Sequence, residues 1–212
     1  MTTALTLANG ALRLLKDSRP LTQSEYDNGT RPVARAIKNA VDGGAYRYCL
    51  EEGLWKFATR SVLLDSAPSL VDETGGFSYV FTKNDDYVRT CGIYSSAAMG
   101  VNDALRDYRD EAGFWFANID PIYVSYVSDD VQYGLDLSLW PQSFVKFVEA
   151  HLASEVAGAV SGDDKELRRL RKTLLGEALG KDAMSMPSKA FPAGGWVRAR
   201  FGGGSRENHD RR

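Results

Sequence analysis

The spacing of apolar positions changes twice along the chain. Between residues 4 and 16, Leu5, Ala8, Leu12 and Leu15 recur at helical intervals, and Pro20 lies just beyond. The polar stretch 21–30 ends in Asn28-Gly29 and reads as a loop. Pro32 suits the first turn of a second helix, where its missing N–H has no partner to lose. Val33, Ile37, Ala40, Gly44 and Tyr48 would line one face of it. Gly43 and Gly44 would each cost a helix about 1 kcal/mol against alanine, so the pair predicts a break or a close backbone approach. Gly53 is a natural stop.

The middle of the chain has period two. Phe77, Tyr79 and Phe81 alternate in one run, and Ile122, Val124 and Tyr126 in another, which predicts half-buried strands. Residues 106–118 read as a hairpin with its turn near Glu111 to Gly113, and Pro121 marks the gap before the next strand. Residues 54–127 are expected to form one small antiparallel sheet. Trp55 and Phe57 stand at the corner where helix gives way to strand, and their burial would join the helical body to the sheet. Trp115, on the hairpin, could lie exposed against a neighbouring subunit.

Helical spacing returns with Phe144, Phe147, Val148, Leu152, Val156 and Ala159. After Ser161-Gly162, Asp163 and Glu166 fit a capping box for a last helix. That helix turns Leu167, Leu170, Leu174 and Ala178 inward and Arg168, Arg169, Arg171 and Lys172 outward. The expected fold is α+β: an antiparallel helical bundle from both chain ends, a small antiparallel β-sheet insert and an extended C-terminal arm. The helical body would be residues 1–53 with 139–186, the insert 54–138 and the arm 187–212.

Composition narrows the chemistry. The chain has 212 residues, 43% of them hydrophobic, and a net charge of −2, so the molecule as a whole is no electrostatic trap for nucleic acid. No apolar run is long enough to cross a membrane, and the N-terminus lacks the pattern of a secretion signal. Cys49 and Cys91 make no metal-ligand pattern and read as reduced, packed thiols. His151 reads as a core or interface histidine, and His209 lies in the arm. The acid pairs Asp85-Asp86, Asp110-Glu111 and Asp129-Asp130 fall at expected turns, where aspartate serves local hydrogen bonding. A hydrolase would need two such acids facing a cleft. The basic face of residues 165–172 is offset by Asp163, Asp164 and Glu166. No enzyme, cofactor or metal chemistry is expected.

The arm carries the stronger signal. Gly194, Gly195, Gly202, Gly203 and Gly204 deny it a core of its own, and from residue 188 onward its net charge is +4. Phe191, Trp196, Arg198, Arg200, Phe201, Arg206, Arg211 and Arg212 supply aromatic anchors and cations suited to strand addition or groove binding on another protein.

The order of these parts resembles the phage head-to-tail adaptor family, the tail tubular protein A-like head completion proteins. "LWKFATRSVLL" is similar to the family's Trp-x-Phe-Ala entry into its first strand, with "LWKF" standing where the family has "PWNF". "FSYVFTKNDDYVRTCGIY" and "YRDEAGFWFANIDPIYVSYVSDD" are similar to its strand–turn–strand and hairpin, and residues from "LWPQSF" to "DAMS" to its closing helix pair. The resemblance covers residues 4–186, and "SSAAMGVNDALRD" is insertion-like against it. It implies a virion protein at the neck, assembled in the host cytoplasm as a homo-oligomeric ring, dodecameric in the family. Such a ring docks on the portal protein, lets genomic DNA through its channel without sequence-specific contact, and offers a surface to the next tail or neck protein, a nozzle or stopper. It implies no membrane partner. The alternative from the residues is a tail-associated polysaccharide or peptidoglycan hydrolase.

Overall fold

The structure, a computed structural model, describes residues 2–17, 19–67, 76–160 and 164–185, with side chains left out at 158–160. Helix α1 (Ala4–Leu14) opens on a reciprocal cap in which Thr6 N–H donates to Thr3 Oγ1 at 3.2 Å and Thr3 N–H to Thr6 Oγ1 at 2.8 Å. It buries Leu7, Ala8, Ala11 and Leu12. The polar stretch that reads as a loop contains a helix, α2 (Gln23–Asn28). Thr22 Oγ1 accepts from Glu25 N–H, and the Glu25 carboxylate accepts from Thr22 N–H at 3.0 Å. This capping box nucleates a helix that has no apolar stripe to announce it.

Pro32 opens α3 (Pro32–Asp42), and Gly44 ends the possibility of one continuous helix. Its φ of +94° lies in the left-handed region, where a side chain would be strained, and α4 (Ala45–Glu51) starts afresh beyond it. A 3-10 turn, Lys56–Ala58, then leads into the strands.

The strands form two sheets, not one. In the first, β6 (Ile122–Ser128) is central and pairs antiparallel with β1 (Thr59–Leu64) and β3 (Tyr87–Tyr94). In the second, β5 (Phe114–Ala117) pairs antiparallel with β2 (Tyr79–Thr82) and β4 (Tyr108–Glu111). β4 and β5 make the expected hairpin, with Gly113 in its turn. The sheets face each other across Phe81, Ile93, Trp115, Val124 and Tyr126. Trp115 is fully buried in that layer, its ring edge-on to Tyr87 and its Nε1 donating to Thr90 Oγ1 at 2.9 Å. It is therefore no exposed hairpin aromatic. Tyr79, expected inside, faces out, while Val80 and Phe81 are both buried.

A 3-10 turn at Leu137–Leu139 precedes α5 (Gln142–Val160). α5 packs against α1, α3, α4 and α6 (Lys165–Met184). The N-cap of α6 is Asp164, with no side-chain cap bond, and its carboxylate pairs with Arg168 instead. Asp163 lies outside the described residues. Leu167, Leu170 and Leu174 are only half-buried, and Ala178 alone is fully enclosed on this helix.

The expected helical bundle from both chain ends with a single sheet insert is therefore corrected. Among the described residues there are six helices, two of them of six and seven residues, and two three-stranded sheets. The glycine break and the Thr22 cap multiply the helices. Two apolar sheet faces that must bury each other divide the strands. The expected arm, 187–212, lies outside the described residues, and the last element described is α6.

Asp86 binds the ends of the first sheet together. It accepts from Arg60, Tyr126 and Ser128, and its backbone carbonyl takes the Asp129 N–H at 3.0 Å. Burial disfavours its charge, but the hydrogen bonds from Ser128, Arg60 and Tyr126 and the charge of Arg60 outweigh that and lower its pKa. A lowered native pKa means the contribution is complete above the ordinary value of about 3.9 and is lost as pH falls below it. Asp86→Asn should cost about 1–3 kcal/mol at neutral pH in urea unfolding. Its acid destabilisation below that value should be shallower than the wild type's.

Candidate functional site

The helical and sheet layers meet at the chain corner 52–59. Trp55 is buried, with its ring centroid 4.8 Å from that of Phe144 and 6.1 Å from that of Phe57. Phe57 is half-buried and also stands 4.8 Å from Phe144. Trp55 Nε1 donates to the Cys49 carbonyl at 3.0 Å, which satisfies its only polar group on the last turn of α4. Gly53 lets the indole fold back, because a Cβ there would stand 2.8 Å from Trp55 Cε2 and 2.7 Å from Leu179 Cδ2. The same cluster includes Val127 of β6, with Val88 and Cys91 of β3 packed against it. Trp55 thus lies in the core shared by α4, α5 and the first sheet, and Phe57, half-buried, packs against it.

Between these aromatics, Lys56 reaches the other way. Its Nζ donates to the Asp182 carbonyl, to the Ala183 carbonyl at 3.3 Å and to Ser185 Oγ at 3.1 Å. Its backbone N–H donates to Asp182 Oδ1 at 3.3 Å. A cation placed on the last carbonyls of a helix satisfies groups with no intrahelical partner and complements the negative end of the helix dipole. The end of α6, where residues 186–212 begin, is thereby tied to the start of β1. No sequence signal pairs Lys56 with Asp182, because the two are separated by most of the chain.

A cleft of about 630 Å³ opens beside this lock, between the outer face of the first sheet and the last turns of α6. Leu54, Leu179, Tyr94 and Cys91 form its apolar wall. Leu54 is 47% exposed and Leu179 36%, so the cleft presents both leucines to solvent. The charges around it balance, Glu52 and Asp182 against Lys56 and Arg89. Burial pushes the Cys91 thiol above its ordinary range.

The other candidates take structural places. Asp110 bonds Lys83 and Thr90, Glu111 pairs with Arg109 at 2.9 Å, Asp129 pairs with Arg47, and Asp86 is held as described. Asp130 accepts from the Gln132 N–H at 2.7 Å in a local turn. None of the three acid pairs lines the cleft. Among the described residues no group of three or more His, Cys, Asp or Glu is placed to hold a metal ion, and no helix is long and apolar enough to cross a membrane.

His151 is buried in α5, stacked 4.7 Å from the Tyr48 ring, with Nδ1 3.3 Å from Arg171 Nη1. Arginine only donates, so Nδ1 accepts and the ring is neutral at that nitrogen. Phe191, Trp196, Arg198, Arg200, Phe201, Arg206, Arg211, Arg212 and His209 lie outside the described residues.

Comparison with protein-family models gives no match, and comparison with curated proteins gives none.

Three substitutions test this geometry. Trp55→Ala should cost about 3–5 kcal/mol in chemical denaturation, the range for an enclosed aromatic, whereas Lys56→Met should cost about 1 kcal/mol and speed amide exchange at residues 181–185 more than elsewhere. Burial and Arg171 lower the His151 pKa against the opposing carboxylates of Glu155 and Glu52. The native state then resists protonation, so stability is complete above the ordinary value of about 6.5 and declines as pH falls below it. His151→Gln should flatten that decline in thermal unfolding between pH 7.5 and pH 5.

Proposed function

We propose that the protein is a phage head-to-tail adaptor, a structural virion protein that forms a homo-oligomeric ring beneath the portal. The observation that carries this reading is the lock between Lys56 and the end of α6. It ties the end of α6, from which the C-terminal segment departs, to the junction of helices and sheet, which supports a connector role. The acid pairs engaged in ion pairs and turns support a structural role over a hydrolytic one. The chain's mild net charge suits a channel wall that DNA slides past without being held.

In this reading residues 187–212 grip the portal through Phe191, Trp196, Phe201 and the arginines. Heterologous contacts close the ring, twelvefold by the resemblance, and the sheet end receives the next tail or neck protein. The protein works in the virion neck after assembly in the host cytoplasm, without cofactor and without membrane.

The test is binding of the cognate portal ring by the full chain and by a chain ending at Met186, with assembly counted by electron microscopy. The full chain should bind and form a ring on the portal, while the shortened chain should not. Equal binding by both would move the contact to the helical layer. Binding by neither would overturn the adaptor reading.

A further inference from the structure

Lys56 ties down the last turn of α6, while Arg171, in the first half of that helix, reaches the imidazole of His151 on α5. The helix is otherwise held lightly. Leu167, Leu174 and Leu175 pack against the main core only in part, and Ala178 is its one fully enclosed residue. Between Arg171 and the Lys56 lock stands Gly176, where an added Cβ would meet nothing within 4 Å. No close approach demands glycine there, so its effect is to make the helix easier to break at that point.

His151 is only 3% exposed, yet a cleft of about 260 Å³ lined by Gly43, Gly44, Tyr48, Glu155 and Arg171 opens onto its ring. The Arg171 guanidinium also stands 5.9 Å from the centre of the Tyr48 ring that stacks on the imidazole. From α4 the imidazole is faced by Tyr48, which bonds Glu52, and by the Cys49 thiol, which burial keeps neutral. From α5 comes Glu155, one turn along, and from α6 comes Arg171. α3 and the break after it supply Ala40, Gly43 and Gly44, none of them ionisable.

The contact with Arg171 needs a lone pair on Nδ1. A proton there turns the acceptor into a donor, so the bond is lost and two cations face each other. Glu155 and Glu52 then offer the imidazolium carboxylates in place of Arg171.

We propose that this joint is a proton-operated switch: protonation of His151 releases Arg171, and residues 165–175 of α6 come away from α5, hinging at Gly176 while Lys56 keeps the last turn in place. Release uncovers the apolar side of the helix at Leu167, Leu174 and Leu175. The sign follows from the two states. In the attached state burial and Arg171 hold the imidazole below its ordinary range, whereas the released imidazole titrates near about 6.5. Attachment is therefore complete above that value and is lost as pH falls below it. The switch is a property of the isolated chain and does not depend on the adaptor reading.

The experiment is hydrogen exchange on the full chain at pH 7.5 and pH 5.5, corrected for the intrinsic pH dependence of exchange and read at residues 165–175, 177–185 and 4–14. Ordinary carboxylates stay ionised in this window. Glu149, which burial holds above the usual carboxylate range, lies over Gly10 of α1, so its titration would show at residues 4–14. Protection at 165–175 should fall about tenfold between the two pH values, with little change in the other two segments. His151→Gln should abolish the fall, and Glu155→Gln, at an exposed position, should shrink it. Gly176→Ala should raise protection at 165–175 severalfold at pH 5.5. Unchanged protection at 165–175 in the wild type, or an equal fall in all three segments, would overturn the switch. So would a fall that persists undiminished in both the His151 and Glu155 variants, and unaltered exchange in Gly176→Ala would overturn the hinge.

Discussion

The apolar surface of α5 has to be taken out of water on every side, and the rest of the molecule is arranged to do it. Phe144, Val145, Phe147, Val148, Leu152, Ala153, Val156 and Ala157 point in directions that no single partner helix could cover. α1 and α3 close one part of it, α4 another and α6 a third. Two hydrophobic clusters are built on this one helix, one with α1 and α3 around Val156 and one with α4, Trp55 and the first sheet around Phe144 and Phe147. Each enclosed Phe, Val or Leu among them contributes about 1.5–3 kcal/mol, so the helix gathers distant parts of the chain around itself.

Trp55 and Lys56 turn that packing into a mechanical link. The indole commits the chain corner to α5 and α4, while the neighbouring ammonium commits it to the end of α6. Adjacent residues thus join the helical layer, the entry to the sheet and the exit of the C-terminal segment. Further along the same boundary, Arg89 donates to the Glu51 carbonyl and Arg47 to the Tyr87 carbonyl, so a side chain of each of α4 and β3 holds the backbone of the other.

Much of the local structure was legible because it follows from short-range chemistry. The Gly43-Gly44 break, Pro32 at a helix start and the hairpin closed by Gly113 are backbone facts that a few neighbouring residues dictate. α2 was missed although its Thr22–Glu25 box stood in the sequence, since a two-turn polar helix has no hydrophobic period. Trp115 was misplaced for a different reason. Alternation gives two possible faces to a hairpin residue, and only the presence of the second sheet decides that its face is buried.

The residue order by itself determined most of the helices and strands, though not the polar α2, where glycine and proline punctuate them, and that the apolar stripe of α5 must be enclosed. Tertiary structure decided which strands are neighbours, that they form two sheets, and that Lys56 meets Asp182 and the last turn of α6. Local rules act over three or four residues through backbone geometry and capping. Sheet partition and the Lys56 lock instead join positions far apart in the chain, and burial together with long-range hydrogen bonding, resolved over the whole fold, selects among the pairings that local chemistry leaves equal.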